Sequence, residues 1–122
     1  MRVATPADWK TTPMPDERRT VAVERVLQPH EVARLRRGLI PGAMEDKWFV
    51  YWTDVDNRSA RVTFHRSWTG LCVFIVDVAL DLHGGGRVTG AMANNAADQS
   101  RVNDAADRSL INQLIDGVLS RR

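Results

Sequence analysis

Three runs rich in Trp, Tyr, Phe, Val and Ile, Lys47 to Thr53, Ala60 to Arg66 and Leu71 to Leu80, follow one another with only short connections between them. This composition and spacing predict an antiparallel β-meander. The connections Asp54-Val55-Asp56-Asn57-Arg58 and Trp68-Thr69 both suit hairpin turns. Pairing about Trp68-Thr69 sets Arg66 opposite Leu71, His65 opposite Cys72, and Phe64 opposite Val73. Because side chains alternate between faces, Val62, Phe64 and Arg66 share one side with Leu71, Val73 and Ile75, the better candidate for a core. Thr63, His65 and Ser67 then fall on the other side with Cys72 and Phe74.

The flanking segments complete an α+β domain. Residues 1 to 19 hold three prolines and little periodicity, and they read as an extended N-terminal arm with Trp9 as its anchor. Residues 20 to 122 form the single domain. Val21, Val23 and Val26 suggest a short strand, and Pro29 opens a helix to about Leu39, which Pro41-Gly42 ends. After Gly84-Gly85-Gly86, the stretch Arg87 to Met92 predicts a fourth strand of the meander, and Ala93 to Asn103 a loop. The last helix is the plainest element. Leu110, Ile111, Leu114, Ile115, Val118 and Leu119 recur at helical spacing, Asp104 and Asp107 complement its positive end, and Asn103 suits the N-cap. The expected fold is an antiparallel sheet of four to five strands with two helices packed on one face, leaving the other face at least partly uncovered.

Composition removes several function classes. The chain has 122 residues, 43% of them apolar and 26% charged, the mixture of an ordinary globular protein. Fifteen of its seventeen basic residues are Arg, yet the net charge is only +2 and the Arg clusters have acids nearby, which argues against an electrostatic nucleic-acid binder. Cys72 is the sole cysteine, so neither an intramolecular disulfide nor a thiolate-rich metal site can form. The first residues lack the apolar stretch of a signal peptide, and no span approaches the ~20 apolar residues that cross a bilayer. A cytoplasmic protein without a membrane partner is expected.

Familiar motifs fail on their own mechanics. His83-Gly84-Gly85-Gly86 resembles an oxyanion-hole loop, but no G-x-S-x-G elbow follows, and a hairpin turn accounts for it. Asp54-Val55-Asp56-Asn57 begins like a calcium loop, with Ser59 where the sharp turn needs Gly and His65 where the bidentate Glu belongs. His30, His65 and His83 lack zinc-ligand spacing, so no metal and no cofactor is expected. Cys72 near His65 suggests half of a nucleophile and base pair, without an acid partner or oxyanion donor. A small buried apolar residue is the commoner use of such a cysteine.

Lys47, Trp48, His65, Arg66 and Trp68 form the candidate ligand-binding set. A loop centred near Asp56 brings Lys47 roughly opposite Arg66 at one sheet end, with Trp48 and Trp68 nearby. Two cations beside indole rings suit a phosphate or carboxylate with a ring stacked on it. The competing account is internal neutralisation of Arg66 by Glu45 or Asp46, which the two acids directly before Lys47 favour.

Met44-Glu45-Asp46-Lys47-Trp48-Phe49, followed by His65-Arg66-Ser67-Trp68-Thr69-Gly70, resembles an uncharacterised bacterial domain family that pairs an M-E-D-K-W-F block with an H-R-S-W-T-G block. Val102-Asn103-Asp104 and the Leu110 to Asp116 stretch are similar to that family's closing loop and helix. The resemblance covers about half the chain and implies a stand-alone or fused bacterial domain of unknown activity, associated with ADP-ribose-processing proteins. It carries over no catalytic residue. The leading expectation is a binding or interaction module for an anionic small molecule, phosphorylated or nucleotide-like, or for a protein partner. The alternatives are a small hydrolase or transferase using His65 as acid or base, and a structural homodimer.

Overall fold

A computed structural model describes residues 3–96 and 104–121. The meander forms as expected: β3 (Trp48–Asp54), β4 (Ser59–Arg66), β5 (Cys72–Leu80) and β6 (Gly86–Asn94) are successive antiparallel neighbours. Two short strands, β1 (Arg18–Val21) and β2 (Arg25–Leu27), both pair with β6, giving the order β1-β6-β5-β4-β3 with β2 beside β1 on the same edge. The single strand expected near residues 20 to 27 is therefore two. β1 begins at Arg18, inside the segment read as the arm, and β6 extends through Ala93 and Asn94, which were expected in a loop.

One register detail overturns the expected facing of β5. His65 does sit opposite Cys72, but a β-bulge follows, and Phe64 pairs with Phe74 rather than Val73. The extra residue reverses the alternation of everything after it. Phe74, Val76 and Val78 therefore join Val62 and Phe64 in the core, while Ile75 lies opposite Thr63 on the other face.

Helices α1 (Pro29–Arg37) and α2 (Asp104–Leu119) pack on that core face and touch each other. α1 starts where Pro29 needs no amide partner and where the Glu31 carboxylate accepts from Gln28 N at 2.8 Å. It stops two residues before the expected end because Gly38 takes φ +67°, and Leu39 then exchanges two backbone hydrogen bonds with Val50 in β3. From α2, Ile111, Ile115 and Val118 are fully buried beside Val32 and Leu35 of α1. Its position over the sheet is fixed by polar ties: Asp107 pairs with Arg19 of β1, and Arg25 of β2 pairs with Asp116 at 2.6 Å. The expected N-cap, Asn103, lies outside the described residues. No helix among the described residues is long and apolar enough to cross a membrane.

The face away from the helices is not left bare at its β3–β5 end. Phe49, Thr63, His65 and Cys72 point there and are nonetheless buried. The N-terminal arm crosses them, anchored where the Trp9 indole N–H donates to Ser67 O at 2.7 Å and Thr12 N donates to Gly70 O at 2.8 Å. Both acceptors lie in the β4–β5 turn. Gly70 makes this approach practicable: its φ is +80°, and a Cβ there would sit 3.1 Å from Lys10 O.

Candidate functional site

The β3–β4 register places Trp48, not Lys47, opposite Arg66. Lys47 precedes the strand, and its carbonyl accepts from Ser67 N at 2.9 Å. Trp48 and Phe64 meet in a T-shaped arrangement, with ring centroids 6.5 Å apart and planes at 80°. Arg66 lays its guanidinium over the Trp48 ring at 5.0 Å, a cation–π contact at the rim of the core.

This arrangement corrects the expectation that Glu45 or Asp46 neutralises Arg66. Asp46 is committed elsewhere, accepting from Gly42 N at 2.9 Å and pairing with Arg121 at 3.0 Å. Those contacts, the Gly42 amide first and the Arg121 guanidinium next, hold its carboxyl below the ordinary value of 3.8. Among the described residues neither Arg66 nor Lys47 has an acidic partner within ion-pair distance.

Lys47, Arg66, Trp68 and Thr69 line one cavity of about 290 Å³. The loop before β3 supplies Lys47, the end of β4 supplies Arg66, and the β4–β5 turn supplies Trp68 and Thr69. Trp68 is 62% exposed, unusual for so large an apolar side chain, and its indole N–H is used inward, donating to Met44 O at 3.0 Å. That bond fixes the ring while its π-faces have no polar requirement left. Trp68 also borders a wider groove of about 650 Å³, where Trp9, Lys10, Pro41 and Met44 contribute. Lys10 and Lys47 are the only lysines in the chain, and both border Trp68 cavities.

Of the five residues predicted from sequence, Lys47, Arg66 and Trp68 thus meet at one cavity, and Trp48 lies beneath Arg66 as its support. His65 does not join them. It is 2% exposed, on the opposite side of β4 under the arm. Its Nδ1 lies 3.0 Å from Gly70 O and must carry the proton to donate there, so Nε2 accepts from Tyr51 Oη at 3.1 Å. Tyr51 stacks on the imidazole at 5.5 Å. Burial lowers the pKa of His65 from 6.5, raises that of Tyr51, and pushes the Cys72 thiol up to about 12. A neutral imidazole with both nitrogens engaged, beside a protonated thiol, builds a packed hydrogen-bonded core rather than an activated nucleophile.

Sequence reasoning missed Trp9, Lys10 and Met44 as neighbours of Trp68. The one available signal was Trp9, an isolated aromatic in a proline-rich arm, which had to rest on something. Among the described residues no group of three or more His, Cys, Asp or Glu side chains could hold a metal ion. No protein-family model, curated protein or solved structure matches the chain.

Proposed function

We propose that this chain is a non-enzymatic binding module that takes an anionic, ring-bearing small molecule, phosphorylated or nucleotide-like, at Lys47, Arg66 and Trp68. The observation that carries this reading is two cations, without acidic partners among the described residues, sharing a cavity with an exposed, fixed indole. An Arg fork and a Lys point charge recognise phosphate or carboxylate oxygens, and an indole face with no polar demand stacks on a planar ring. Trp48 supports the site by holding the Arg66 guanidinium from below. The burial of His65 favours binding over acid–base catalysis by that residue. The resemblance to the bacterial family with paired M-E-D-K-W-F and H-R-S-W-T-G blocks fits this reading, since each block supplies one wall of the cavity. A cytoplasmic setting suits it as well, with Cys72 as a buried thiol.

The test is thermal unfolding and titration calorimetry against nucleotides, ADP-ribose and sugar phosphates. At least one ligand should raise the melting temperature. Lys47→Ala and Arg66→Gln should each weaken it by roughly tenfold, the scale of a lost charge-assisted hydrogen bond, while keeping the native circular dichroism. Unchanged affinity in both variants would refute the site. Unfolding of Arg66→Gln alone would instead assign Arg66 to holding Trp48.

A further inference from the structure

The wider groove beyond Trp68 is unlike the cation cavity it adjoins. Trp9, Lys10, Pro41, Met44 and Trp68 are among the residues that line it, and Met44 is 75% exposed. Both indole N–H groups are spent on protein carbonyls, Trp9 on Ser67 O and Trp68 on Met44 O, so the rings present carbon faces that ask for no hydrogen bond. Both acceptors also tie the groove to the loops that form the cation cavity, since Ser67 belongs to the turn carrying Trp68 and Met44 precedes Lys47. The two spaces share Trp68 as a common wall, with Lys47 and Arg66 lining one and Lys10 the other.

We infer that the groove is a second subsite for the same ligand, completed by the N-terminal arm, and that it receives an aryl group attached to the anion held by Lys47 and Arg66. This rests on the proposed anion site and adds the class of substituent: flat, apolar and on the arm side of Trp68. The charge pattern supports one elongated occupant, because a neutral apolar molecule would leave Lys10, Lys47 and Arg66 uncompensated around it. A bare anion would leave Trp9 and Met44 in water. The arm is thereby a binding element, held over the turn by Trp9 and Thr12 and contributing Trp9 and Lys10 to the groove.

The experiment compares 1-naphthyl phosphate with inorganic phosphate on the full chain by titration calorimetry. Naphthyl phosphate should bind about tenfold more tightly, the scale expected for one aryl ring entering an indole-lined cleft. Trp9→Ala should bring its affinity down to that of inorganic phosphate. Met44→Gln, which alters an exposed side chain without loosening the arm, should lower it in the same direction. A naphthyl preference unchanged in both variants would overturn the aryl subsite while leaving the anion site standing. A preference that survives Lys47→Ala and Arg66→Gln at full affinity would refute the anion site instead. No binding of either phosphate would overturn both.

Discussion

Replacing Gly38 by Ala tests whether the close of α1 is what sets β3 in place. Gly38 has φ +67° and ψ −156°, a region reserved for glycine, so an alanine there carries about 1 to 3 kcal/mol of backbone strain. Its Cβ would also stand 2.2 Å from Val50 O and 2.9 Å from the Ala4 side chain. Neither overlap can persist, so β3 must separate from residue 39. That movement sacrifices the pair Leu39 N to Val50 O, 2.9 Å, and Val50 N to Leu39 O, 3.0 Å, at about 1 kcal/mol each. The expected loss is about 3 to 5 kcal/mol, a large part of the roughly 5 to 15 kcal/mol that holds a domain of this size. Urea unfolding followed by circular dichroism measures it, with Gly117→Ala as the control. Gly117 is exposed in α2, and an added Cβ meets nothing within 4 Å, so that variant should gain about 0.5 to 1 kcal/mol. A Gly38→Ala loss under about 1 kcal/mol, at unchanged m-value, would refute the reasoning by showing that the chain relaxes around the methyl group.

Three further outcomes follow from the buried polar groups. His65 has a depressed folded-state pKa, so the unfolded chain takes up its proton first; its contribution should be complete above about pH 6.5 and be lost as pH falls through the folded value. Urea midpoints measured between about pH 8 and pH 5 should show that slope in the native chain and a shallower one in His65→Gln. The Cys72 thiol, 1% exposed and with its pKa pushed up to about 12, should react with an aromatic disulfide reagent at about pH 8 at least a hundredfold more slowly in the folded chain than in urea; fast labelling of native protein would show the arm to be displaced. Asp107 is fully buried against Arg19, and Asp107→Ala should cost about 3 kcal/mol by removing the buried half of that ion pair, read from the shift in thermal midpoint.

The features legible before folding are local ones. The aromatic and β-branched runs specified the meander, the 3.6-residue periodicity of Leu110 to Leu119 specified α2, and Pro29 specified the start of α1. These signals act within a few residues, through turn chemistry, capping and the alternation of side chains. The proximity of Lys47, Arg66 and Trp68 was also legible, because a meander brings the ends of neighbouring strands together whatever its fine register.

Tertiary structure decided what depends on contacts between distant segments. One bulged residue turned Phe74 inward and Ile75 outward, and nothing local in Cys72-Val73-Phe74 marks it, since its advantage is the burial of Phe74 beside Phe64 on the core face of the sheet. His65 was separated from Arg66 by the plain alternation of a strand, yet its burial came from the arm, more than fifty residues earlier in the chain. Asp46 was drawn away from Arg66 by Arg121, 75 positions further along the chain, which reached its carboxylate. Burial and charge pairing are properties of the assembled surface: a carboxylate or an indole binds to whichever group folding brings within reach, and distance along the chain does not predict which one that is.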